Sequence, residues 1–202
     1  RLLAHCRKHN LVLIEDGAHV IGTSYNGKKN GSIADMTTLS FHPVKTVTGG
    51  EGGAVLTNSE EYYQKLLLYR SHGITKNPAK MEHEPDGPWY YEQVALGMNY
   101  RMTDMQAALI ISQLDKLPLF MKRRKEIVKA YDEAFSKLPQ LFVQKEIPQS
   151  DTTRHLYILR IIPEKLKIDR KQFFEALAAE NICCQVHYIP VYYFPYYEKL
   201  GY

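Results

Sequence analysis

Four glycines within five residues, Gly49, Gly50, Gly52 and Gly53 around Glu51, constrain this 202-residue chain more than any other stretch. Glycine serves a backbone that must turn with positive φ or let another segment come close. The cluster follows a strand-like run, Met36 to Phe41, and one lysine, Lys45. Lysine is the side chain that forms Schiff bases with carbonyl compounds, best where its surroundings favour the free amine. No Gly-Lys-Ser/Thr follows the glycines, so they are not a phosphate-binding P-loop. Taken alone, Lys45 reads as a solvated loop residue. Its neighbours change that weight.

Upstream, Leu11 to Ile14 is an apolar run ending in Glu15 and Asp16, as a buried parallel strand would. In open α/β sheets, ligands sit at the carboxyl ends of strands. Asp16 is thereby placed to meet a ligand, and Gly17, Ala18 and His19 continue that edge. Downstream, Met98, Asn99, Tyr100 and Arg101 lead into a long helix with Thr103 as N-cap and Gln106 three residues on. In order and spacing, these three segments resemble the DegT/DnrJ/EryC1/StrS family of sugar aminotransferases, which use pyridoxal 5'-phosphate (PLP). The resemblance runs over nearly the whole chain, in particular to enzymes that aminate nucleotide-linked 4-keto-6-deoxy sugars.

The resemblance implies an α/β chain of the aspartate-aminotransferase-like class (fold type I). Part of a PLP-binding large domain would occupy 1–115, a connecting helix 116–140 and an incomplete small α+β domain 141–202. Lys45 matches the catalytic lysine that holds the cofactor and then shuttles a proton. Asp16 matches the carboxylate that pairs with the ring nitrogen; otherwise it is a strand-end Asp capping a turn. His19 falls where relatives place Gln or His against the ring or its phenolic oxygen. Ser40 matches a hydroxyl on the cofactor phosphate. Asn99 matches an asparagine that reaches the partner's phosphate, which implies a homodimer with shared active sites. Arg101 either contacts the sugar nucleotide or pairs with a nearby carboxylate. His187 and Tyr188 match a small-domain segment near the substrate. Cys183, Cys184 and His187 invite a zinc reading, but adjacent residues of a strand face opposite ways, so a packed core strand is preferred and no metal is expected.

The implied reaction is transamination of a nucleotide-linked keto sugar in surface-glycan or amino-sugar biosynthesis, with glutamate as the usual donor. The family's dehydratase branch has His at the lysine position, and Lys45 argues against it. The likeness starts from the family's middle and implies a preceding part that carries the phosphate-cradling helix end and a stacking aromatic. The alternative is therefore a truncated, non-catalytic dimerisation or regulatory domain of the same fold.

A formal charge of +4, spread along the chain, does not argue for nucleic acid. No apolar run reaches membrane-spanning length, and three cysteines make no disulfide framework, so the cytoplasm is the expected compartment. Locally, the pattern predicts a helix ending at Asn10, a strand Leu11–Glu15, an Asn26-Gly27 turn, and strands over 36–41 and 53–57. A helix from Glu60 closes near Gly73, and a flexible loop spans 75–92. The helix from Thr103 breaks or kinks at Pro118 and runs to about Leu138. Beyond it come a strand over 155–162, a helix over 169–181 with Phe173, Phe174 and Leu177 inward, a strand over 183–189, and an aromatic tail.

Overall fold

The computed structural model describes residues 1–202. The chain divides into two compact units, one made of 1–132 with 144–157, the other of 133–143 with 158–202. None of its helices is long and apolar enough to cross a membrane.

The first unit opens with α1 (Leu2–Lys8). Asn10 ends it at φ 52°, and the Leu11 amide bonds back to the Cys6 carbonyl at 2.8 Å. Arg7 then grips Asp35 through two bonds of 3.0 and 2.6 Å, tying α1 to the entry of the sheet. That sheet has the order β1 (Ile14–Asp16), β4 (Met36–Ser40), β5 (Gly53–Leu56). β1 runs parallel to β4, and β5 antiparallel to it. The predicted strand at 11–15 is thus parallel but shorter, and it is not buried: β1 is an edge strand whose Ile14 is 59% exposed. Between β1 and β4, β2 (Ser24–Tyr25) and β3 (Lys28–Lys29) form a hairpin. Its turn residues Asn26 and Gly27 both have positive φ, 49° and 73°, as the Asn-Gly pair demands.

The core of this unit is small: Phe41, Val47 and Ile110, flanked by Ile21, Leu39, Ala54, Met102 and Leu117. Ile110 comes from α3 (Asp104–Asp115), which begins with a complete Thr103/Gln106 capping box. Lys116 ends α3, and α4 (Leu117–Phe135) starts afresh with Pro118 in its first turn. Proline fits there because its missing N–H would find no helical partner anyway. α4 stops at Phe135, three residues short of the expected end.

The 75–92 stretch is closed at its base and cross-tied by hydrogen bonds. Beyond α2 (Glu60–Arg70), β6 (Ile74–Thr75) pairs with β7 (Glu92–Gln93) across its base. The Glu92 carboxylate then gathers the loop. It accepts from the Glu82 amide at 2.6 Å, the His83 amide at 2.9 Å and the Tyr90 hydroxyl at 3.0 Å. One residue at the loop's end thus satisfies donors across it, which the absence of periodicity concealed.

In the second unit, β8 (Leu141–Val143) pairs antiparallel with β9 (Leu159–Ile161). α5 (Arg170–Ala179) starts at an Asp169/Gln172 capping box, with Phe173, Phe174 and Leu177 half-buried as expected. A short α6 (Pro195–Glu198) lies in the aromatic tail. One expected strand is shortened and another is absent. The 155–162 strand keeps only β9, because the first unit claims the residues up to Tyr157. The 183–189 strand does not form: no ladder partner is there, and Cys183 is exposed rather than packed in a core.

The Glu92 clamp is testable. Hydrogen bonds, foremost that from the Glu82 amide, hold its carboxyl below the usual range. The clamp is therefore present above the ordinary glutamate pKa and is lost as pH falls through the depressed value. Hydrogen-exchange protection at the Glu82 and His83 amides is expected to fall in that acid range. Glu92→Gln should lower it already at neutral pH.

Candidate active site

The site is built on the β1–β4 register. Asp16 stands opposite Thr38, so the two parallel strands end at one edge, with Ser40 two residues further along β4. Glu15 is turned the other way. Its carboxylate accepts from the Thr37 hydroxyl at 2.9 Å, a residue with no exposed surface, and from Asn30 Nδ2 at 2.8 Å. Since strand side chains alternate, fixing Glu15 on that face sends Asp16 to the opposite one. Asp16 is exposed, and its Oδ1 accepts only from the Ala18 amide, at 3.1 Å. Most of its acceptor capacity remains for a ligand. Gly17 lets β1 leave the sheet closely packed: a Cβ there would lie 2.5 Å from the Thr38 carbonyl oxygen.

Lys45 lies in the loop between β4 and β5. His42, Pro43 and Val44 are exposed, Lys45 is half-buried, and Thr46 and Val47 are buried, Val47 completely. The loop closes on Phe41. The Phe41 amide donates to the Gly52 carbonyl at 2.8 Å, while the Phe41 carbonyl accepts from the Gly49 amide at 2.9 Å and the Thr48 hydroxyl at 3.1 Å. The glycines do both things expected of them. Gly50 and Gly52 take φ 83° and 134°, and Gly49 lets Ile110 approach so closely that a Cβ would meet its Cδ1 at 2.8 Å. The Lys45 backbone is thus anchored by buried Thr46 and Val47 after it and by its own amide, which donates to the His42 carbonyl at 2.9 Å. Its Nζ forms no hydrogen bond or ion pair within the chain, and Ser40 Oγ accepts only from the His42 amide, at 3.4 Å.

The remaining candidates are placed as follows. His19 is exposed on the loop after β1, its ring centroid 4.4 Å from that of His155. Asn99 is exposed, on a segment clamped to the end of α2. The Met98 amide bonds to the Tyr69 carbonyl at 2.7 Å, the His72 amide to the Met98 carbonyl at 2.9 Å and the Tyr100 amide to the Arg70 carbonyl at 3.0 Å. No hydrogen bond or ion pair joins Asn99 to Asp16, Ser40 or Lys45 within the chain. Arg101 is exposed and has no ion pair within the chain. His187 and Tyr188 belong to the second unit and are exposed, with their ring centroids 3.5 Å apart.

Register therefore places Asp16 and Ser40 at the same end of the β1–β4 pair, with His19 three residues after Asp16 and Lys45 five residues after Ser40 in the β4–β5 loop. A carboxylate, a hydroxyl and a primary amine are the donor set that a pyridine aldehyde phosphate requires: acid for ring nitrogen, hydroxyl for phosphate, amine for aldehyde. Those with assigned partners keep most of their capacity open. The residues fit the group. Sequence reasoning missed Thr37, which fixes Glu15, and His155, which meets His19; no local signal marks contacts made over such distances along the chain.

Known proteins share the sequence and fold of this chain. The chain is 41% identical over 194 residues to the UDP-4-amino-4,6-dideoxy-N-acetyl-beta-L-altrosamine transaminase of Campylobacter jejuni, covering 96% of this chain and 49% of that protein. It is 38% identical over 199 residues to the spore coat polysaccharide biosynthesis protein SpsC of Bacillus subtilis, covering 98% and 51%. Among solved structures, Helicobacter pylori PseC, an aminotransferase involved in pseudoaminic acid biosynthesis, superposes with a TM-score of 0.86 at 34% identity, covering 98% of this chain and 50% of that one. The chain spans about half the length of these relatives. Over that half, the aspartate-aminotransferase-like, fold type I class is borne out. With the model of the DegT/DnrJ/EryC1/StrS aminotransferase family matching residues 1–202, the chain belongs to that family.

Proposed function

We propose that this chain supplies the lysine-bearing half of a PLP-dependent aminotransferase that moves an amino group from glutamate to a nucleotide-linked keto sugar. The observation that supports the reading is the parallel register of β1 and β4, which ends Asp16 and Ser40 side by side where the Lys45 loop leaves β4. Relatives whose names give a UDP-sugar transaminase and a GDP-perosamine synthase support the substrate class. The neighbouring structures of a putative sugar aminotransferase, Spr1654 of Streptococcus pneumoniae, in PMP and PLP forms support the cofactor.

When bound, PLP supplies an electron sink for the pair left at the carbon that bears the nitrogen. Asp16 holds a proton on the ring nitrogen by keeping a negative charge beside it. Ser40 donates its hydroxyl to the phosphate. Lys45 Nζ would carry a proton between the two carbons that flank the transferred nitrogen, a short transfer suited to a flexible side chain on a fixed backbone. Arg101, exposed and without an ion pair, offers a planar guanidinium to the diphosphate of the sugar nucleotide. Asn99, displayed on its clamped segment, reaches the phosphate of a second copy, so the working unit is a homodimer with shared sites. His187 and Tyr188 approach the sugar.

The direct test is an absorbance scan of the chain with PLP, followed by borohydride reduction and peptide mass mapping. Near-visible absorbance and a cofactor adduct on Lys45 are expected. A colourless protein with no adduct would favour a non-catalytic domain instead. In the active assembly, Lys45→Ala should cut turnover by roughly 10³-fold or more while thermal stability stays unchanged. Asp16→Asn should weaken PLP retention by about 10- to 100-fold, the worth of a charge-assisted hydrogen bond. Arg101→Ala should leave stability within about 0.5 kcal/mol, as for a surface residue without partners, and raise KM for the sugar nucleotide but not for glutamate.

A further inference from the structure

We infer that His42 is a positioning residue for Lys45: its ring braces the turn that carries the lysine against the glycine limb of the same loop. The inference rests on the reading of Lys45 as the residue that takes up the cofactor. It concerns where the amine starts from, not what the amine then does.

The loop from β4 to β5 has two limbs. The first, His42 to Lys45, is a β-turn closed by the Lys45 amide on the His42 carbonyl at 2.9 Å. Pro43 stands at its second position, where the fixed φ of proline suits such a turn. His42, Pro43 and Val44 are all exposed, so packing does not hold this limb. A side chain does. The Val44 amide donates to His42 Nδ1 at 3.4 Å, its only hydrogen bond within the chain. A ring nitrogen thereby does what the side-chain oxygen of Asn or Asp does in an Asx-turn.

Accepting at Nδ1 leaves the proton of the neutral ring on Nε2. That nitrogen faces the second limb, 3.9 Å from Glu51 Oε1. Glu51 is tied further back: its carbonyl accepts from Gln106 Nε2 at 3.2 Å, and Gln106 belongs to the capping box that starts α3. A path of contacts thus runs from the lysine turn, through the His42 ring and Glu51, to the helix that supplies Ile110 to the core. An exposed pair of this kind adds little stability, so its effect is on placement rather than on folding. On its other side, the His42 amide donates to Ser40 Oγ at 3.4 Å. Accepting there, the Ser40 hydroxyl still has its own proton to donate. One residue therefore touches both the hydroxyl proposed for the phosphate and the turn that presents the amine.

The experiment compares His42→Ala, His42→Asn and Glu51→Gln with the unaltered chain. In cofactor-free protein, the Val44 amide should exchange about two- to tenfold faster in His42→Ala, the worth of one hydrogen bond. His42→Asn should restore it, because an asparagine side chain accepts from the amide two residues on. Glu51→Gln should move the His42 ring-proton resonances. With PLP, borohydride trapping and peptide mapping read the share of adduct on Lys45 against that on the exposed Lys28 and Lys29. That share should fall about three- to tenfold in His42→Ala and be partly regained in His42→Asn, which keeps the turn contact but not the reach to Glu51. Thermal midpoints should not move. A lowered midpoint in His42→Ala with no regain in His42→Asn shows a role in stability alone and overturns the inference. Unchanged Val44 exchange or an unchanged Lys45 share in His42→Ala, or unmoved ring resonances in Glu51→Gln, also overturn it. If His42→Ala does not fold, the unaltered chain decides: cross-relaxation between the Val44 amide proton and the His42 ring protons is expected, and its absence overturns the inference. An unaltered chain that takes up no PLP counts against the cofactor reading, and the brace then stands or falls on the cofactor-free signals.

Discussion

The register of one parallel strand pair carries the site. With Asp16 opposite Thr38, an acid and the lysine-bearing loop emerge at the same edge of the sheet. A slip of one residue would present Glu15 at that edge and turn Asp16 onto the face where Thr37 is buried. The Glu15–Thr37 and Glu15–Asn30 bonds work against such a slip, because it would strand a buried hydroxyl without its acceptor. The fold therefore protects the register with a residue that takes no part in the chemistry.

A second constraint concerns stiffness. An amine proposed to carry a proton over a short distance needs a side chain that swings and a backbone that does not. The loop around Lys45 provides this division. Phe41 and Val47 are buried with Ile110, while the residues just before the lysine lie in solvent. The glycines are what let the loop close this tightly, through left-handed backbone at Gly50 and Gly52 and the close approach of Ile110 at Gly49. Asn99 follows the same logic: an exposed side chain stands on a segment locked to the end of α2.

Much of this was legible along the chain. The left-handed stop at Asn10, the Asn26-Gly27 turn, the Thr103/Gln106 box and the restart at Pro118 all depend on residues within a few positions of one another. Their physics is local, so a linear reading finds them. The misses are non-local. The 183–189 run has the composition of a strand, but a strand exists only where another lies beside it, and none does. The 155–162 run is divided because hydrogen bonds from Arg124 to the His155 carbonyl and from the Tyr157 hydroxyl to Asp132 hold its first part in another unit. The 75–92 loop looked shapeless because its organiser, Glu92, stands at its far end.

By itself, then, the sequence determined which chemistries were available: one amine beside a glycine cluster, one acid after an apolar run, and an order of segments that marks the family. It also determined most helix ends and turns, since caps and left-handed residues act on their own neighbours. Only the tertiary structure decided which groups share an edge, which face each acid takes, that Arg101 stands without an ion pair, and that His155 meets His19. Those outcomes follow from strand register and from hydrogen bonds between distant segments, and neither is encoded in any single stretch of residues.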